Sequence, residues 1–272
     1  MRIMIFMMFK NEADLLYPWL VYHANLVGKE NLMIFDNGSE ETRTKAVVAQ
    51  AKSEGFNIRY ELSSADSFIH RGEIYKGLIN YFNENNAADF YLLMDCDEFL
   101  AVNVDGQLSL SIDDIKQDLS KFLNCDAPLS IHAGLDNHPY IHGLYIWAAG
   151  QQKTFFSKGI VDFLDLGFHN GSTTSSNSPK KTNIVFIHFH FRRYMQMREM
   201  ARAKLLHYTQ DFTEHGLRKY VEEKRDGWHC ALELMYKEEE YIDLFKSRRH
   251  HYKEHPQIRD SFNKLGLGLP FS

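Results

Sequence analysis

Three short apolar runs limit what this chain can fold into: residues 2–9, 31–35 and 90–94. Each is too short for a buried helix. The first and last are apolar on both faces, as a central strand covered from two sides must be. Between them the apolar residues recur with helical spacing. Leu15, Leu16, Trp19, Leu20, His23 and Leu26 share one face over residues 13–26, with Pro18 in an early turn, Asn11 as a cap and Gly28 as the stop. Ser39, Glu40, Glu41 and Thr42 open a second helix to Glu54. Residues 57–62 read as a further strand, and Ile74, Leu78, Ile79 and Phe82 line a helix over 71–85. Strands and helices in this alternation predict an α/β fold with a mostly parallel central sheet and helices on both sides.

Ligands of such sheets bind beyond the carboxyl ends of the strands. Three polar clusters stand at those ends: Lys10-Asn11-Glu12, Asp36-Asn37 and Asp95-Cys96-Asp97. The last is the sharpest signal. The run Phe90–Met94 stops in three carboxylates within four residues, Asp95, Asp97 and Glu98, before Phe99 and Leu100 turn apolar again. Two positions apart on an extended strand end, Asp95 and Asp97 point the same way. They repel unless something positive sits between them. A hard divalent cation such as Mg²⁺ or Mn²⁺ suits such oxygens and usually also holds substrate phosphates. The plainer reading is a solvated strand end with capping acids.

The chain has 272 residues, 44% of them hydrophobic and 25% charged, enough for one large domain with a packed core. A net charge of −5 argues against a general nucleic-acid coat. Cys96, Cys125 and Cys230 are too scattered for a zinc site or a disulfide framework, which fits a reducing compartment. The opening apolar run reads as a strand and not as a signal peptide. No stretch reaches the ~20 apolar residues that span a bilayer. A cytoplasmic protein, at most peripheral to a membrane, is the expectation.

Beyond residue 100 the pattern is looser. Residues 102–110 read as irregular or a short strand, 112–122 as a helix capped by Ser111, and 129–133 as a strand followed by a loop at 134–139. Residues 145–148 and 154–156 read as two strands near Gly150, and 167–181 as a Gly/Ser/Thr/Asn-rich flap. Residues 184–191 alternate with period two, which sets His188 and His190 on one face. From Tyr194 to about Lys253 the chain reads as helical and highly charged, with Arg198 and Arg202 as i,i+4 neighbours and a basic cluster at 248–253. The expected division is a catalytic domain over 1–205 and a helical C-terminal extension over 206–272.

Several of these residues carry a resemblance. Lys10-Asn11-Glu12, Trp19-Leu20, His23, and Asp36-Asn37-Gly38-Ser39 with Thr42 look like the start of family-2-like glycosyltransferases. The nearest branch is the one that includes family-92-like proteins. Asp95-Cys96-Asp97-Glu98-Phe99 matches its Asp-x-Asp-Glu-Phe motif, and His190-Phe191 before a basic helix resembles its His-Tyr motif, with Phe191 in place of Tyr. The likeness is good over residues 1–100, patchy over 129–205 and absent beyond.

The resemblance implies a Rossmann-like GT-A fold, a nucleotide-sugar donor, a glycan or glycolipid acceptor, and Mn²⁺ or Mg²⁺. It also implies hexosyl transfer in surface-polysaccharide biosynthesis. Asp97 is then the direct metal ligand, Asp95 binds the metal through water or touches the ribose, and Glu98 orients both. His190 completes the shell, with His169 competing for that role. Asn11, Glu12 and Asp36 fall to the nucleotide pocket, although Asp36 also reads as an Asx turn and Glu12 equally as a first-turn acid of the helix that follows. Arg71 meets the diphosphate through its fork of donors or, as readily, forms a surface salt bridge. An inverting route needs a base to take the acceptor's proton. Asp136 and His138 are the candidates, with Asp162 and Asp165 as alternatives, and a retaining route stays open.

Two rivals remain. A nucleotidyltransferase would need a glycine- and basic-rich loop after the first strand, which Lys10-Asn11-Glu12 is not. A non-catalytic nucleotide- or glycan-binding module would bind donor without turning it over. The basic groups at 192–202 and 248–253 suit anionic lipid headgroups or, more plainly, a solvated surface.

Overall fold

The computed structural model describes residues 1–206 and 208–271. Of the expected C-terminal extension, His207 and Ser272 lie outside the described residues.

The chain opens with β1 (Ile3–Phe9), α1 (Leu16–Val27), β2 (Leu32–Asp36), α2 (Thr42–Ser53), β3 (Ile58–Arg59), α3 (Ala65–Ile69), α4 (Arg71–Glu84) and β4 (Phe90–Leu93). These strands form a four-stranded sheet in the order β3-β2-β1-β4, parallel throughout. β1 is central and buried along its whole length. Its odd residues, Ile3 to Phe9, join a core with Leu16, Trp19 and Leu20 of α1. Its even residues, Met4, Phe6 and Met8, join Tyr75 and Ile79 of α4. An apolar run two-faced in this way can only be covered by helices on both sides.

The α/β class, the parallel sheet, the flanking helices and the helical C-terminal region are as the sequence predicts. A larger, seven-stranded sheet accompanies this parallel one. After β4 no crossover helix follows. Residues 94–97 turn the chain straight into β5 (Glu98–Val104), which pairs in a hairpin with β6 (Gln107–Ser109) across Asp105 and Gly106 at φ +50° and +85°. α5 (Ile112–Ser120) follows, capped by Ser111 Oγ, which accepts from the Asp113 amide at 3.2 Å. Next come β7 (Leu129–Asn137), β8 (Leu144–Phe155), β9 (Val161–Leu164), β10 (Gly171–Thr173), β11 (Lys180–Lys181) and β12 (Ile184–His188). The second sheet runs β13-β8-β7-β12-β5-β6, with β11 beside β7; β13 is Lys253–Glu254. Only β12 and β11 lie parallel to β7; the other neighbours are antiparallel, as direct turns require.

Three expectations change. The loop at 134–139 is in its first half strand, since β7 runs to Asn137 and pairs along β8. The two strands near Gly150 are one: Gly150, at φ +86°, lies in a bulge and not at a break. The flap at 167–181 holds β10 and β11 and is pinned where Thr173 Oγ1 donates to the Asp126 carbonyl at 2.5 Å.

The C-terminal part holds α6 (Tyr194–Leu205), α7 (Glu214–Glu222), α8 (Trp228–Met235), α9 (Glu238–Ser247) and α10 (Pro256–Lys264). Ala201 and Leu205 of α6 share a small core with α7 and α8. α10 returns to the main core, where Ile258 and Phe262 pack with Tyr22 and Phe99. Arg248 to His251 are exposed, as a solvated basic surface would be. Among the described residues no helix is long and apolar enough to cross a membrane.

Candidate active site

The site forms where the two sheets meet. β1, β2 and β4 are parallel, so Glu12, Asp36 and Asp95 come to the same edge. The turn 95–97 then leads into β5, whose first residue, Glu98, pairs with His188 at the end of β12. His188 in turn pairs with Asp136 of β7. Glu98, His188 and Asp136 thus form a row across three neighbouring strands, with side chains on one face. The Phe189 amide donates to the Asp97 carbonyl at 2.8 Å. Phe189 itself is buried in the core, so His188 and His190 both turn toward Asp97.

Asp97, His188 and His190 each present a ligand atom within 4.8 Å of the others, the one such trio of candidate metal ligands among the described residues. His188 Nε2 lies 3.5 Å from Asp97 Oδ2, and His190 Nδ1 lies 4.0 Å from the same oxygen. His188 Nδ1 is 3.2 Å from Asp136 Oδ1. One carboxylate and two imidazoles suit Mn²⁺ better than Mg²⁺, which prefers oxygen. A carboxylate on the far nitrogen of a histidine is the usual outer support of a metal-bound imidazole. The donor set therefore fits a divalent transition metal.

At this cluster a proton competes with a cation. Burial opposes charge on His188, but Asp97 and Asp136 overcome it and push its pKa up to about 10. Burial and the charge on His188 push His190 down to about 3. Burial works against ionised Asp97 too, yet His188, His190 and Lys204 hold it well below the usual range. A metal held by Asp97, His188 and His190 would have to displace the proton on His188, which works against binding as pH falls.

Asp95 is placed differently from its expected role. Its Oδ2 accepts from Lys153 Nζ at 2.6 Å, and the same ammonium lies 3.3 Å from Glu98 Oε1. Glu98 Oε2 accepts from the Asp95 amide at 2.8 Å. Partial burial raises the Asp95 pKa, but Lys153 and Arg71 outweigh it and bring it to about 2. Burial dominates at Glu98 and lifts it to about 7, against Lys153. Arg71 sits on this side of the crevice. Its Nε donates to the Leu166 carbonyl at 2.6 Å, and its guanidinium lies over Phe68 and Phe168 at 4.4 and 4.9 Å.

Glu12 faces the buried guanidinium of Arg192 at 3.4 Å. Burial first, and Asp97 after it, raise the Glu12 pKa to about 7 despite Arg192. Asn11 does not cap α1. It sits at φ +55°, and its Oδ1 accepts from the Glu40 and Glu41 amides at 2.9 and 3.1 Å, clamping β1 to the loop after β2. Asp36 is buried and forms the Asx turn, its Oδ1 accepting from the Ser39 amide at 2.7 Å.

The candidate bases are drawn into other contacts. His138 is turned away from the crevice: its Nδ1 accepts from the Tyr140 and Ile141 amides, both at 3.1 Å, and its ring packs on Tyr252 and Phe245. Burial lowers its pKa to about 4. That is a turn-capping histidine. Asp136 supports His188. Asp165 caps its own turn through the His169 and Asn170 amides, and Asp162 is exposed. His169 Nδ1 is bonded to the Gln152 carbonyl at 2.6 Å, and His169 is not part of the Asp97–His188–His190 trio.

No sequence signal marks Lys153. His188 was visible as the residue sharing a strand face with His190.

No family model matches this chain, and no curated protein matches it. Among solved structures, S. aureus TarS, a glycosyltransferase, matches at 10% identity with a TM-score of 0.35. The match covers 97% of this chain and 48% of the other, so the chain spans about half the length of that structure. A likeness that slight identifies neither fold family nor activity.

Proposed function

We propose that this chain is a GT-A glycosyltransferase that moves a sugar from a nucleotide-sugar donor to a glycan or glycolipid acceptor with the help of a divalent metal. The observation that carries the reading is the Asp97–His188–His190 cluster, backed by Asp136, at the carboxyl edge of the parallel strands. The sequence resemblance over residues 1–100 points the same way.

In this reading Asp97, His188 Nε2 and His190 hold the metal, and Asp136 fixes the orientation of His188. When bound, the metal supplies Lewis-acid stabilisation of the charge that develops on a departing diphosphate. Arg71, held against Phe68 and Phe168, offers its outer nitrogens to the same phosphates. Asn11 and Asp36 shape the loop that the nucleotide meets, and Glu12 lines the crevice beside Arg192. Assembly of surface polysaccharide is the setting that the resemblance implies.

The test is thermal stability against a panel of nucleotides and nucleotide sugars with and without Mn²⁺. A ligand at about 100 times its dissociation constant adds about 2.7 kcal/mol. A rise that needs both Mn²⁺ and one nucleotide class, and that Asp97→Asn abolishes, is the expected result. A folded protein that responds to no nucleotide would refute the proposal. Binding without donor turnover would move the chain to the rival class of binding modules.

A further inference from the structure

Three carboxylates in four residues would be expected to share one cation. The structure divides them. Lys153 comes from β8, far from the motif in sequence, and its side chain is only 4% exposed. Its ammonium contacts Asp95 Oδ2 at 2.6 Å and Glu98 Oε1 at 3.3 Å, with the Phe168 ring 5.3 Å away. Glu98 Oε2 is bonded to the Asp95 amide. Both Glu98 oxygens and one Asp95 oxygen are therefore engaged. Asp97, the middle acid, points the other way, to His188 and His190.

We propose that Lys153 is a positioning residue that splits the acidic motif: it keeps Asp95 and Glu98 out of the metal shell and leaves Asp97 as the carboxylate that joins the two histidines. This rests on the metal-dependent reading above. The physical reason is charge. A buried ammonium already offsets one of the two negative charges that the Asp95–Glu98 pair can carry, and a divalent cation moving toward Asp95 would meet that positive charge at close range. A shell of one oxygen and two nitrogens also keeps several positions for substrate oxygens, as phosphate-binding metals require.

The experiment is Mn²⁺ titration by calorimetry on the full chain, without nucleotide. Asp97→Asn weakens Mn²⁺ binding by about tenfold or more. Asp95→Asn stays within about threefold, below the ~10-fold that even an outer-sphere partner of a ligand commands. Lys153→Met frees Asp95 and Glu98 and tightens Mn²⁺ binding, whereas Lys153→Arg restores the wild-type affinity. A lysine with a purely structural role would not tighten metal binding when removed. Should Lys153→Met fail to fold, Lys153→Gln removes the charge while keeping a polar partner for Asp95 and carries the same expectation; Mn²⁺ affinity left unchanged by a folded variant of either kind would overturn the role of Lys153. Equal losses in Asp95→Asn and Asp97→Asn would overturn the inference, because Asp95 would then be a ligand. No Mn²⁺ uptake by the wild type, or none lost in Asp97→Asn, would remove the metal reading itself and this inference with it.

Discussion

Asp136→Asn separates two roles for one residue. The residue is 6% exposed and its Oδ1 lies 3.2 Å from His188 Nδ1, across paired positions of β7 and β12. Asparagine keeps the shape and can still accept a hydrogen bond through its amide oxygen, so the strands stay in register. It loses the negative charge, and a charge-assisted bond becomes an ordinary one, roughly half as strong. Outer carboxylates of this kind are worth about 10–100-fold in metal affinity, or about 1.4–2.8 kcal/mol. The expected outcome is an Mn²⁺ dissociation constant raised by about tenfold or more, with turnover largely recovered at saturating Mn²⁺. Calorimetry supplies the first number and donor turnover the second. A residue acting as the general base behaves in the opposite way: turnover falls by about 10²–10⁴ at any metal concentration while affinity holds. Unchanged Mn²⁺ affinity in a folded Asp136→Asn protein would refute the supporting role and return Asp136 to the list of bases.

Two further predictions concern stability. His23 is fully buried, its Nδ1 bonded to the Trp19 carbonyl at 2.9 Å and its Nε2 accepting from the Leu100 amide at 3.2 Å. Burial lowers its pKa from 6.5 to about 3, so the unfolded chain takes up a proton that the folded one refuses. Its contribution is fully present above pH 6.5 and is lost as pH falls toward 3. The slope is about 1.4 kcal/mol per pH unit, or about 2 kcal/mol between pH 6.5 and 5. Urea melts of His23→Gln at pH 7 and 5 should show a flatter acid limb than wild type; an identical slope would mean another group dominates. Gly72, in the first turn of α4, has no room for a side chain: an added Cβ overlaps the Leu164 carbonyl oxygen and comes within 2.9 Å of that of Asp165. Gly72→Ala should cost about 1–3 kcal/mol and loosen β9 from α4, seen as a lower melting temperature and new proteolytic cleavage within residues 161–173. Wild-type resistance to cleavage would show that the backbone gives way more easily than the packing implies.

The sequence alone determined the parallel half of the fold. Apolar runs covered on both faces, separated by helical spacing, have one economical arrangement, and that arrangement carries Glu12, Asp36 and Asp95 to one edge. It also placed His188 and His190 on one side of the chain by period-two alternation, although β12 ends at His188 and His190 lies just beyond it. Local turn chemistry was half legible: the Asx turn of Asp36 was readable, whereas the clamp made by Asn11 depends on a loop 29 residues away. Only the tertiary structure decided how the charges divide. Lys153 meets Asp95 because β8 runs on past its bulge at Gly150 to bridge β4 at Tyr91 and Phe156, a pairing that no local pattern encodes. Asp136 and His138 are two residues apart, and the sequence treats them alike. Folding sends one to His188 and buries the other under Tyr252 and Phe245. Periodicity tells which residues share a face. Which face meets which partner is set by long-range strand pairing and by the cost of leaving a buried charge alone.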